Sequence, residues 1–496
     1  MLGGGVCGLA TAMLLARDGH TVRLLERDPE EVPGTVEEAW QSWDRRGVAQ
    51  FRQTHNLHPR VRLVLEEELP DLREGLVRHG AYRMNMISGL PPMISDREPR
   101  PGDDRFLTDT ARRSTTEYTF ADAARNEPRI SVERGVTVSG VLTGPSAMDG
   151  VPHVVGAITS EGREIRADLV VDAMGRRSRI GSWLGAAGGQ PPYEEAEDCG
   201  FSYYTVYFAG SPPPMLGPVV AEFGTISFIT LPADNGVWAI TVWCASGDQP
   251  LKALRNLETF KRVVALSPAQ APWLDGTAIT DVLAMSGTVD RYRRFVVDGR
   301  PVVTGMVAVA DAWACTNPSA GRGISLGLAH AVRLRDTVRD AGDDPVRLAY
   351  AFDEITETEL TPWYTAQIRN DRRRFQTMDA LRQGQPPPSP GTDEYSRRET
   401  LFWQAMPFDP DLFRAAMEII SALTLPHDIY ARPGVLDRAE AVASRLPVGA
   451  TAMPGASRAD LLAALGERSV SPAPSRSTLG SAARSVSGTV ARSLRR

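Results

Sequence analysis

Lysine is almost absent from the sequence. Lys252 and Lys261 are its only two lysines, so arginine supplies nearly all of the positive charge. A GC-rich genome explains this bias, and we assign it no function. The 496 residues carry a net charge of −6, which argues against a dedicated nucleic-acid-binding protein, because such proteins present a basic surface.

Cysteine and long apolar stretches are also scarce. The four cysteines, Cys7, Cys199, Cys244 and Cys315, are scattered without a C-x-x-C pair, so no zinc or disulfide site is indicated and a reducing cytosol is favoured. No apolar stretch of about 18 residues and no signal peptide is visible, so we expect a soluble cytoplasmic protein. The motifs G-x-S-x-G and G-K-[ST] are missing, which argues against the corresponding hydrolases and phosphate-loop enzymes.

The first eight residues contain the most informative motif. Gly3, Gly5 and Gly8 form the pattern G-x-G-x-x-G. In a dinucleotide-binding turn each glycine has its own role: a tight turn, close approach of the backbone to a pyrophosphate, and close packing of helix on strand. Apolar residues at i, i+3 and i+4 steps predict a helix over residues 7–20, whose N-terminus favours a diphosphate.

A short strand and an acid follow this turn. Residues 21–25 are mostly aliphatic, and Glu26 comes 18 residues after Gly8, where a carboxylate can bond the hydroxyls of an adenosine ribose. Only Met1 and Leu2 precede the glycines, although the motif normally follows a central strand of about five or six residues. We therefore expect that the true start lies upstream of Met1 and that the chain as given holds its nucleotide poorly.

A second strand end carries an acid and a glycine. Residues 169–171 predict a buried parallel strand, and Asp172 and Gly175 lie in the turn at its carboxyl end, where open α/β sheets bind ligands. The alternative is that Asp172 only caps the next helix.

A third turn is more specific than the first two. An apolar strand predicted over residues 301–310 leads to Asp311, Pro318, Gly321 and Gly323, and a long amphipathic pattern follows. This pattern again predicts an acid at a strand end and a glycine-bracketed turn that enters a helix.

The pattern between these turns changes to antiparallel-type strands, predicted over residues 201–208, 226–231 and 237–243, with aromatic side chains on both faces. One face would pack on helices and the other could line an apolar pocket, although such a face is as often plain core. Residues 29–50 and 84–108 are predicted to be loops. After the third turn, four further helices are predicted.

His55 is the one candidate for proton transfer. It comes shortly before a helix predicted from Pro59, and imidazole can donate or accept a proton near neutral pH. The alternative is that His55 and His58 are polar residues around the start of that helix.

The C-terminal segment differs in composition. From Ser471 onward it is mostly Ser, Ala, Pro and Arg, with no acid after Glu467, and we expect a disordered tail. Apolar residues at three- and four-residue steps also allow a basic amphipathic helix that contacts an anionic membrane surface, but two glycines oppose it.

Taken in order, the three turns resemble those of the FAD-dependent monooxygenases of the para-hydroxybenzoate hydroxylase type, over about residues 1–345. The segment 45–55 and the Asp-Ala-x-Gly-Arg form of the second motif look more like the squalene-epoxidase-like and polyketide-tailoring epoxidases. The resemblance implies bound FAD, with NAD(P)H as cosubstrate. The residues expected to contact the cofactor are Gly3, Gly5, Gly8, Glu26, Arg27, Arg45, Arg113, Val136, Asp172, Gly175, Asp311, Pro318, Gly321 and Gly323. The chain departs from the family's pattern at Ala310, usually glycine, and at Ala314, often histidine.

The resemblance also implies the fold class. We expect an α/β protein with a Rossmann-type FAD-binding domain whose first strand is truncated, an inserted mixed β-sheet substrate domain and a C-terminal helical region. The expected parts are FAD-binding residues 1–82, 111–190 and 299–345, a substrate-side segment over 83–110, the β-sheet domain over 191–298, the helical region over 346–470 and the tail over 471–496.

The implied activity is that of a monooxygenase, a hydroxylase or an epoxidase, which inserts one oxygen atom from O2 into a small apolar organic substrate. In such enzymes the reduced flavin forms a C4a-hydroperoxide, and the protein positions the cofactor. One alternative is a flavin-dependent reductase of isoprenoid double bonds, which shares the fold, and another is a non-catalytic relic of the FAD fold. A flavin halogenase is disfavoured, because the first 251 residues lack lysine and no Trp-x-Trp-x-Ile-Pro stretch occurs.

Overall fold

The structure, a computed structural model, describes residues 1–215, 217–389, 391–447 and 455–466. The predicted tail from Ser471, with its possible membrane helix, lies outside these residues. The described residues form a parallel sheet with helices, an antiparallel sheet and a C-terminal group of helices. None of the helices in these ranges is long and apolar enough to span a bilayer.

The first 190 residues alternate between helices and strands. The helices are α1 (Val6–Arg17), α2 (Val36–Gln41), α3 (Pro59–Glu68), α4 (Pro70–Arg78), α5 (Arg113–Arg125) and α6 (Ile180–Ala186). The strands are β1 (Val22–Glu26), β2 (Tyr82–Asn85), β3 (Leu107–Thr110), β4 (Ile130–Arg134), β5 (Val138–Met148), β6 (Val151–Thr159), β7 (Glu164–Arg166) and β8 (Val170–Asp172).

The rest of the chain contains strands first and then helices. The strands are β9 (Tyr193–Asp198), β10 (Phe201–Ala209), β11 (Val220–Phe223), β12 (Ile226–Pro232), β13 (Val237–Ala245), β14 (Thr277–Ala278), β15 (Leu283–Ser286), β16 (Val289–Arg294), β17 (Val296–Val297), β18 (Arg300–Pro301), β19 (Met306–Ala308) and β20 (Ala314–Cys315). The helices are α7 (Leu257–Val264), α8 (Gly323–Ala341), α9 (Pro345–Glu359), α10 (Thr361–Arg382), α11 (Glu394–Ala405), α12 (Pro410–Ile420), α13 (Pro426–Ala431), α14 (Val435–Ala443) and α15 (Arg458–Ala464).

Several predicted loops contain regular structure. The helix α2 lies inside the predicted loop 29–50, and the Thr35 side chain caps it by accepting a hydrogen bond from the Glu38 amide. The helix α3 ends at Glu68, just before Pro70, and Pro70 also begins the unpredicted helix α4, because a proline is tolerated in the first turn of a helix. The strand predicted over residues 301–310 is interrupted, with Pro301 in β18 and Met306–Ala308 in β19.

The parallel sheet is centred on the two residues before the glycines. Leu2 pairs in parallel with Leu25 of β1 on one side and with Asp172 of β8 on the other. The strand β4 then pairs with β1, and β19 pairs with β8, both in parallel. The Leu2 amide donates to the Val171 carbonyl at 2.9 Å, and the Gly3 amide donates to the Leu25 carbonyl at 2.9 Å. Met1 and Leu2 are therefore held from both sides.

The second large sheet is antiparallel in every described pair, with the order β11-β12-β13-β10 and with β14 and β15 on the outer edge of β10. Our expectation of a mixed sheet was wrong in this respect. The 3-10 helix Gln249–Arg255 and α7, which hold both lysines, cover one face, and Met378 of α10 packs on the other face. Both faces are therefore buried, which explains the nearly continuous apolar character of β10 and β13.

Candidate functional site

A cavity of about 380 Å³ lies where the parallel strands end, within the usual range for ligand pockets of roughly 300–1,000 Å³. Its walls come from the three turns singled out above. The predicted residues that line it are Gly3, Gly5, Gly8, Glu26, Arg27, Arg45, His55, Arg113, Val136, Gly175, Asp311, Pro318, Gly321 and Gly323. The structure thus gathers all but one of the predicted site residues, Asp172, around a single cavity.

The glycines of the first turn have different surroundings. A Cβ atom on Gly3, whose φ is +102°, would lie 2.5 Å from the Ala173 carbonyl oxygen, and one on Gly8 would lie 2.2 Å from the Gly3 carbonyl oxygen. A Cβ on Gly5 would meet no atom within 4 Å. Gly3 and Gly8 are therefore required by close packing, whereas Gly5 leaves the backbone accessible from the cavity at the start of α1.

Glu26 ends β1 and holds the first turn. One of its carboxylate oxygens accepts hydrogen bonds from the Gly4 amide at 2.8 Å and from Arg45 at 3.1 Å, and the other accepts from the Asp28 amide at 2.8 Å. The Val136 amide donates to the Glu26 carbonyl at 2.9 Å. Glu26 therefore both fixes the glycine turn and forms part of the cavity wall.

A buried ion-pair network lies behind this carboxylate. Arg45 is within 3.1 Å of Glu26, 3.3 Å of Asp28 and 3.6 Å of Glu117. Arg113 donates two hydrogen bonds to Glu117, at 2.9 and 2.6 Å. Burial opposes the charge of Arg45, but Glu117, Glu26 and Asp28 outweigh it and raise the pKa of Arg45. The network keeps two guanidinium groups beside the cavity.

The turn after β19 has a strained backbone. Ala310 has a φ of +52°, a left-handed conformation that favours glycine. Its amide donates to Nδ1 of His330 at 3.3 Å, and Nε2 of His330 bonds the Thr356 hydroxyl at 3.1 Å. The buried histidine therefore holds the turn in place.

Asp311 projects from this turn into the cavity wall, beside the other two glycine turns. A Cβ on Gly323 would lie 3.8 Å from an Asp311 carboxylate oxygen, and one on Gly175 would lie 3.9 Å from the Asp311 Cβ. Burial raises the pKa of Asp311, while Arg176 and Arg113 lower it. Among the described residues the structure shows no hydrogen bond to the Asp311 carboxylate, so a ligand hydroxyl could donate to it.

Asp172 does not line the cavity. It is fully buried, and its carboxylate accepts hydrogen bonds from the Met174 amide at 2.9 Å and from the Ser178 hydroxyl. Burial raises its pKa to about 6. Asp172 thus holds the turn that carries Gly175, close to the alternative that we gave.

The third glycine turn leads into α8. Gly321 has a φ of +66°, and Nε2 of His58 donates to the Ala320 carbonyl at 2.7 Å. No side chain caps the N-terminus of α8 at Gly323, so its free amides remain available at the cavity. His58, which we considered only as a polar residue near a helix start, therefore positions this turn.

His55 lines the cavity as a neutral imidazole. Its Nδ1 bonds the Gln53 carbonyl at 2.9 Å, and because a carbonyl can only accept, Nδ1 carries the proton and Nε2 is left as an acceptor. Burial, helped by the charge of Arg113, lowers the pKa of His55 to about 3. At neutral pH His55 can accept a hydrogen bond through Nε2, but it has no second proton to donate.

A larger cavity, of about 1,450 Å³, adjoins the first one. The two share residues of their walls, which are Thr54, Pro318, Gly321, Arg322 and Tyr364. Ile229 and Trp243 of the antiparallel sheet line the larger cavity, as the aromatic strands suggested, but most of its wall comes from α10 and the helices that follow.

A buried polar cluster behind the third turn was not predicted. The Asp371 carboxylate accepts hydrogen bonds from Asn317 at 3.0 Å, Ser319 at 3.0 Å and Gln367 at 2.9 Å. Asp290 accepts from the Asn317 amide at 2.5 Å. Gln367 and Asp371 lie four residues apart on α10, so two polar residues on the buried stripe of a helix were the available sequence clue.

These features fit a dinucleotide cofactor. The backbone is open at Gly5, the Asp311 carboxylate is free to accept a hydrogen bond within the described part of the chain, and α8 begins without a side-chain cap. A diphosphate, a polyol chain and an electron-rich ring edge are the groups that such an arrangement would bind.

No protein-family model matches the sequence. Protein Rv3254 of Mycobacterium tuberculosis is 26% identical over 375 residues, which cover 68% of this chain and 72% of that protein.

Solved structures show the fold. PqsL of Pseudomonas aeruginosa, a probable FAD-dependent monooxygenase, superposes with a TM-score of 0.56 at 16% identity, over 76% of this chain and 98% of PqsL. The flavin-dependent brominase Bmp2 superposes with a TM-score of 0.58 at 14% identity, over 90% of this chain and 98% of Bmp2. OxyS anhydrotetracycline hydroxylase from Streptomyces rimosus superposes with a TM-score of 0.51 at 19% identity, over 85% of this chain and 75% of OxyS. The chain therefore has the fold of the FAD-dependent monooxygenases, as the resemblance of its three turns implied.

Proposed function

We propose that the protein is an FAD-dependent monooxygenase, which inserts one oxygen atom from O2 into an apolar organic substrate with NAD(P)H as reductant. The observation that carries this proposal is the shared wall of the two cavities. The smaller cavity has the features of a dinucleotide site, and the larger one meets it at the turn before α8. A bound FAD would supply the redox chemistry and the activation of oxygen.

Different residues around the smaller cavity would bind different parts of the cofactor. The open backbone at Gly5 and the start of α1 would hold the diphosphate. Glu26 would accept the ribose hydroxyls, and Asp311 would accept a hydroxyl of the ribityl chain. The N-terminus of α8 would direct its positive end toward the pyrimidine edge of the flavin, where negative charge develops on reduction.

The larger cavity would hold the substrate and exclude water. Its wall includes the apolar side chains of Ile229, Trp243, Phe413 and Met417, and a dry site prevents the loss of a reactive intermediate to water. His55 lies on the wall of the smaller cavity, beside the shared residue Thr54. As a neutral acceptor it would hold a substrate hydroxyl that reaches this boundary, and oxygen insertion into an alkene requires no protein acid.

The test begins with the purified protein. We expect bound FAD with the flavin absorption bands, and NADH or NADPH oxidation with O2 uptake that rises when an apolar substrate is added. A protein that binds no FAD would instead be a relic of the fold. Anaerobic reduction of an isoprenoid double bond, without oxygen transfer, would identify a reductase and overturn the proposal.

A further inference from the structure

Arg322 lies on the wall that the two cavities share. Its guanidinium rests on the ring of Trp363, 5.4 Å from the centroid. It donates hydrogen bonds to the Ile419 carbonyl at 3.0 Å and to the Gln367 side-chain oxygen at 3.4 Å, and its Nε has no partner. None of the ion pairs found within the described ranges includes Arg322, so its protein partners there are neutral.

Arg322 is half-buried, with a buried Nε, and a cation in such a position with only neutral partners is unusual, because a charge removed from water is normally neutralised by an opposite charge. The nearest candidate is Asp371, but its carboxylate already accepts hydrogen bonds from Asn317, Ser319 and Gln367. Gln367 bonds both Arg322 and Asp371 and therefore stands between them. Arg322 thus retains the capacity to bind an anion that enters from a cavity.

The rim of the larger cavity also carries unpaired positive charge. Arg369 and Arg373, one turn apart on α10, are exposed and line the cavity. Arg369 lies over the Tyr395 ring at 4.4 Å, and neither arginine has a carboxylate partner within the described part of the chain. Four glutamates, Glu195, Glu197, Glu222 and Glu399, also line the cavity. They balance the four lining arginines of α10, so the surplus positive charge of the described wall is that of Arg322.

A second donor points to an acceptor group on the ligand. Trp243 lines the larger cavity and is 4% exposed. Its Nε1–H is buried and has no hydrogen-bond partner among the described residues. A buried donor left unpaired costs roughly 1–3 kcal/mol, so a ligand oxygen that accepts this hydrogen bond would be favoured.

We propose that the larger cavity binds an apolar organic acid, whose anionic group pairs with Arg322 beside the cofactor site and whose apolar body lies in the cavity. A further acceptor oxygen of the ligand would bond the Trp243 Nε1–H. This proposal rests on the proposed function in one respect, which is that the bound acid would be the substrate.

The experiment compares two probes that differ in charge and share an apolar body, 1-pyrenebutyrate and 1-pyrenebutanol. Their dissociation constants are measured by pyrene fluorescence with the flavin-loaded protein. We expect the acid to bind about ten- to a hundredfold more tightly than the alcohol, the range given by a charge-assisted hydrogen bond. Equal binding of the two probes, or binding of neither at millimolar concentration, would overturn the proposal.

Variants then test whether Arg322 provides the positive charge that binds the acid. Arg322→Met should abolish the preference for the acid, and Arg322→Lys should retain part of it. Arg382→Met, at the end of α10 and outside both cavity walls, should behave as the unmodified protein. An Arg322→Met protein that keeps the preference, or that loses only flavin affinity, would show that Arg322 serves the cofactor alone and would contradict the proposal.

Separate control measurements test the folding of each variant and the proposed function. Flavin content and the thermal midpoint of each variant show whether it folds, and if Arg322→Met does not fold, the probe ratio of the unmodified protein and of Arg322→Lys decides. If the acid binds as expected but no substrate elicits O2 uptake, the monooxygenase proposal fails while the anion site stands.

Discussion

The backbone at Ala310 shows how one side chain can strain a site. With a φ of +52°, this alanine occupies a conformation that costs an L-residue about 1–2 kcal/mol. Replacing it by glycine removes the strain but adds chain entropy to the unfolded state. We expect Ala310→Gly to raise the free energy of unfolding by roughly 0.5–1 kcal/mol in urea denaturation. Ala312→Gly, in the same turn without a positive φ, should lower it, and equal effects of the two would argue against strain.

The Asp311 carboxylate offers the most direct test of cofactor binding. Asp311→Ala would remove a charge-assisted hydrogen bond worth roughly 1.5–3 kcal/mol, so FAD affinity should fall by about ten- to a hundredfold. Flavin titration of the apoprotein measures this change. Asp168→Ala, at an exposed position, is the control and should leave the affinity unchanged. Unaltered affinity in Asp311→Ala would remove Asp311 from the cofactor site.

Asp290 should make stability depend on pH. Burial, together with the charge of Asp371, raises the pKa of Asp290 to about 7, whereas an unfolded aspartate titrates near 3.9. Because the folded pKa is the higher one, its stabilising contribution is complete below about pH 4 and is lost as the pH rises through about 7. Asp290→Asn, which keeps an oxygen for the Asn317 amide, should lose less stability than the unmodified protein between about pH 4 and 7. The free energy of unfolding is measured by urea denaturation at several pH values. The same change with pH in Asp290→Asn and in the unmodified protein would refute this assignment.

At the scale of elements, the glycines of the first turn and α1 have two different roles: Gly8 is needed for packing, and Gly5 leaves the backbone open for binding. A methyl group on Gly8 would collide with the Gly3 carbonyl, whereas one on Gly5 would enter open space. Gly8→Ala should therefore lower the free energy of unfolding by about 1–3 kcal/mol. Gly5→Ala should change the stability of the apoprotein by less than about 1 kcal/mol, yet weaken FAD binding about tenfold or more. Urea denaturation and flavin titration measure the two effects, and equal stability losses would contradict the distinction.

The elements that the sequence predicts well are those whose signals are local. The helices α1 and α8 follow from apolar spacing, and the turns follow from glycines and an acid at a strand end. The helix α4 was missed, because Pro70 is suitable both after one helix and at the start of the next.

The larger cavity could not be predicted in the same way. Its wall joins Met86, Trp243 and Met417, residues far apart in sequence that no local pattern connects. Arg322 and Asp371 were missed for the same reason, since Gln367 relates them only in three dimensions.

At the scale of the whole molecule, one buried ion pair joins the cofactor-side helix α5 to the antiparallel sheet. The fully buried Asp234 accepts hydrogen bonds from the Arg112 amide at 2.6 Å, from its guanidinium at 2.7 Å and from Thr115 at 2.9 Å. Removal of one partner leaves a buried charge, so Asp234→Ala should lower the free energy of unfolding by about 3–5 kcal/mol.

Urea denaturation provides the measurement, with an exposed pair as control. Glu258→Ala breaks the surface contact with Lys261 and should cost less than about 1 kcal/mol. If Asp234→Ala costs no more than Glu258→Ala, the two units are joined by their apolar contacts and not by this pair.

The position of the two lysines has a practical consequence. Lys252 and Lys261 both lie on the cover of the antiparallel sheet, and neither lines a described cavity. Reagents that react with side-chain amines would therefore attach a dye, a biotin or a sensor chip to this one side of the protein. Immobilised molecules would share nearly the same orientation, with no coupled residue in the wall of either cavity, so that ligands could be titrated on the surface as they are in solution.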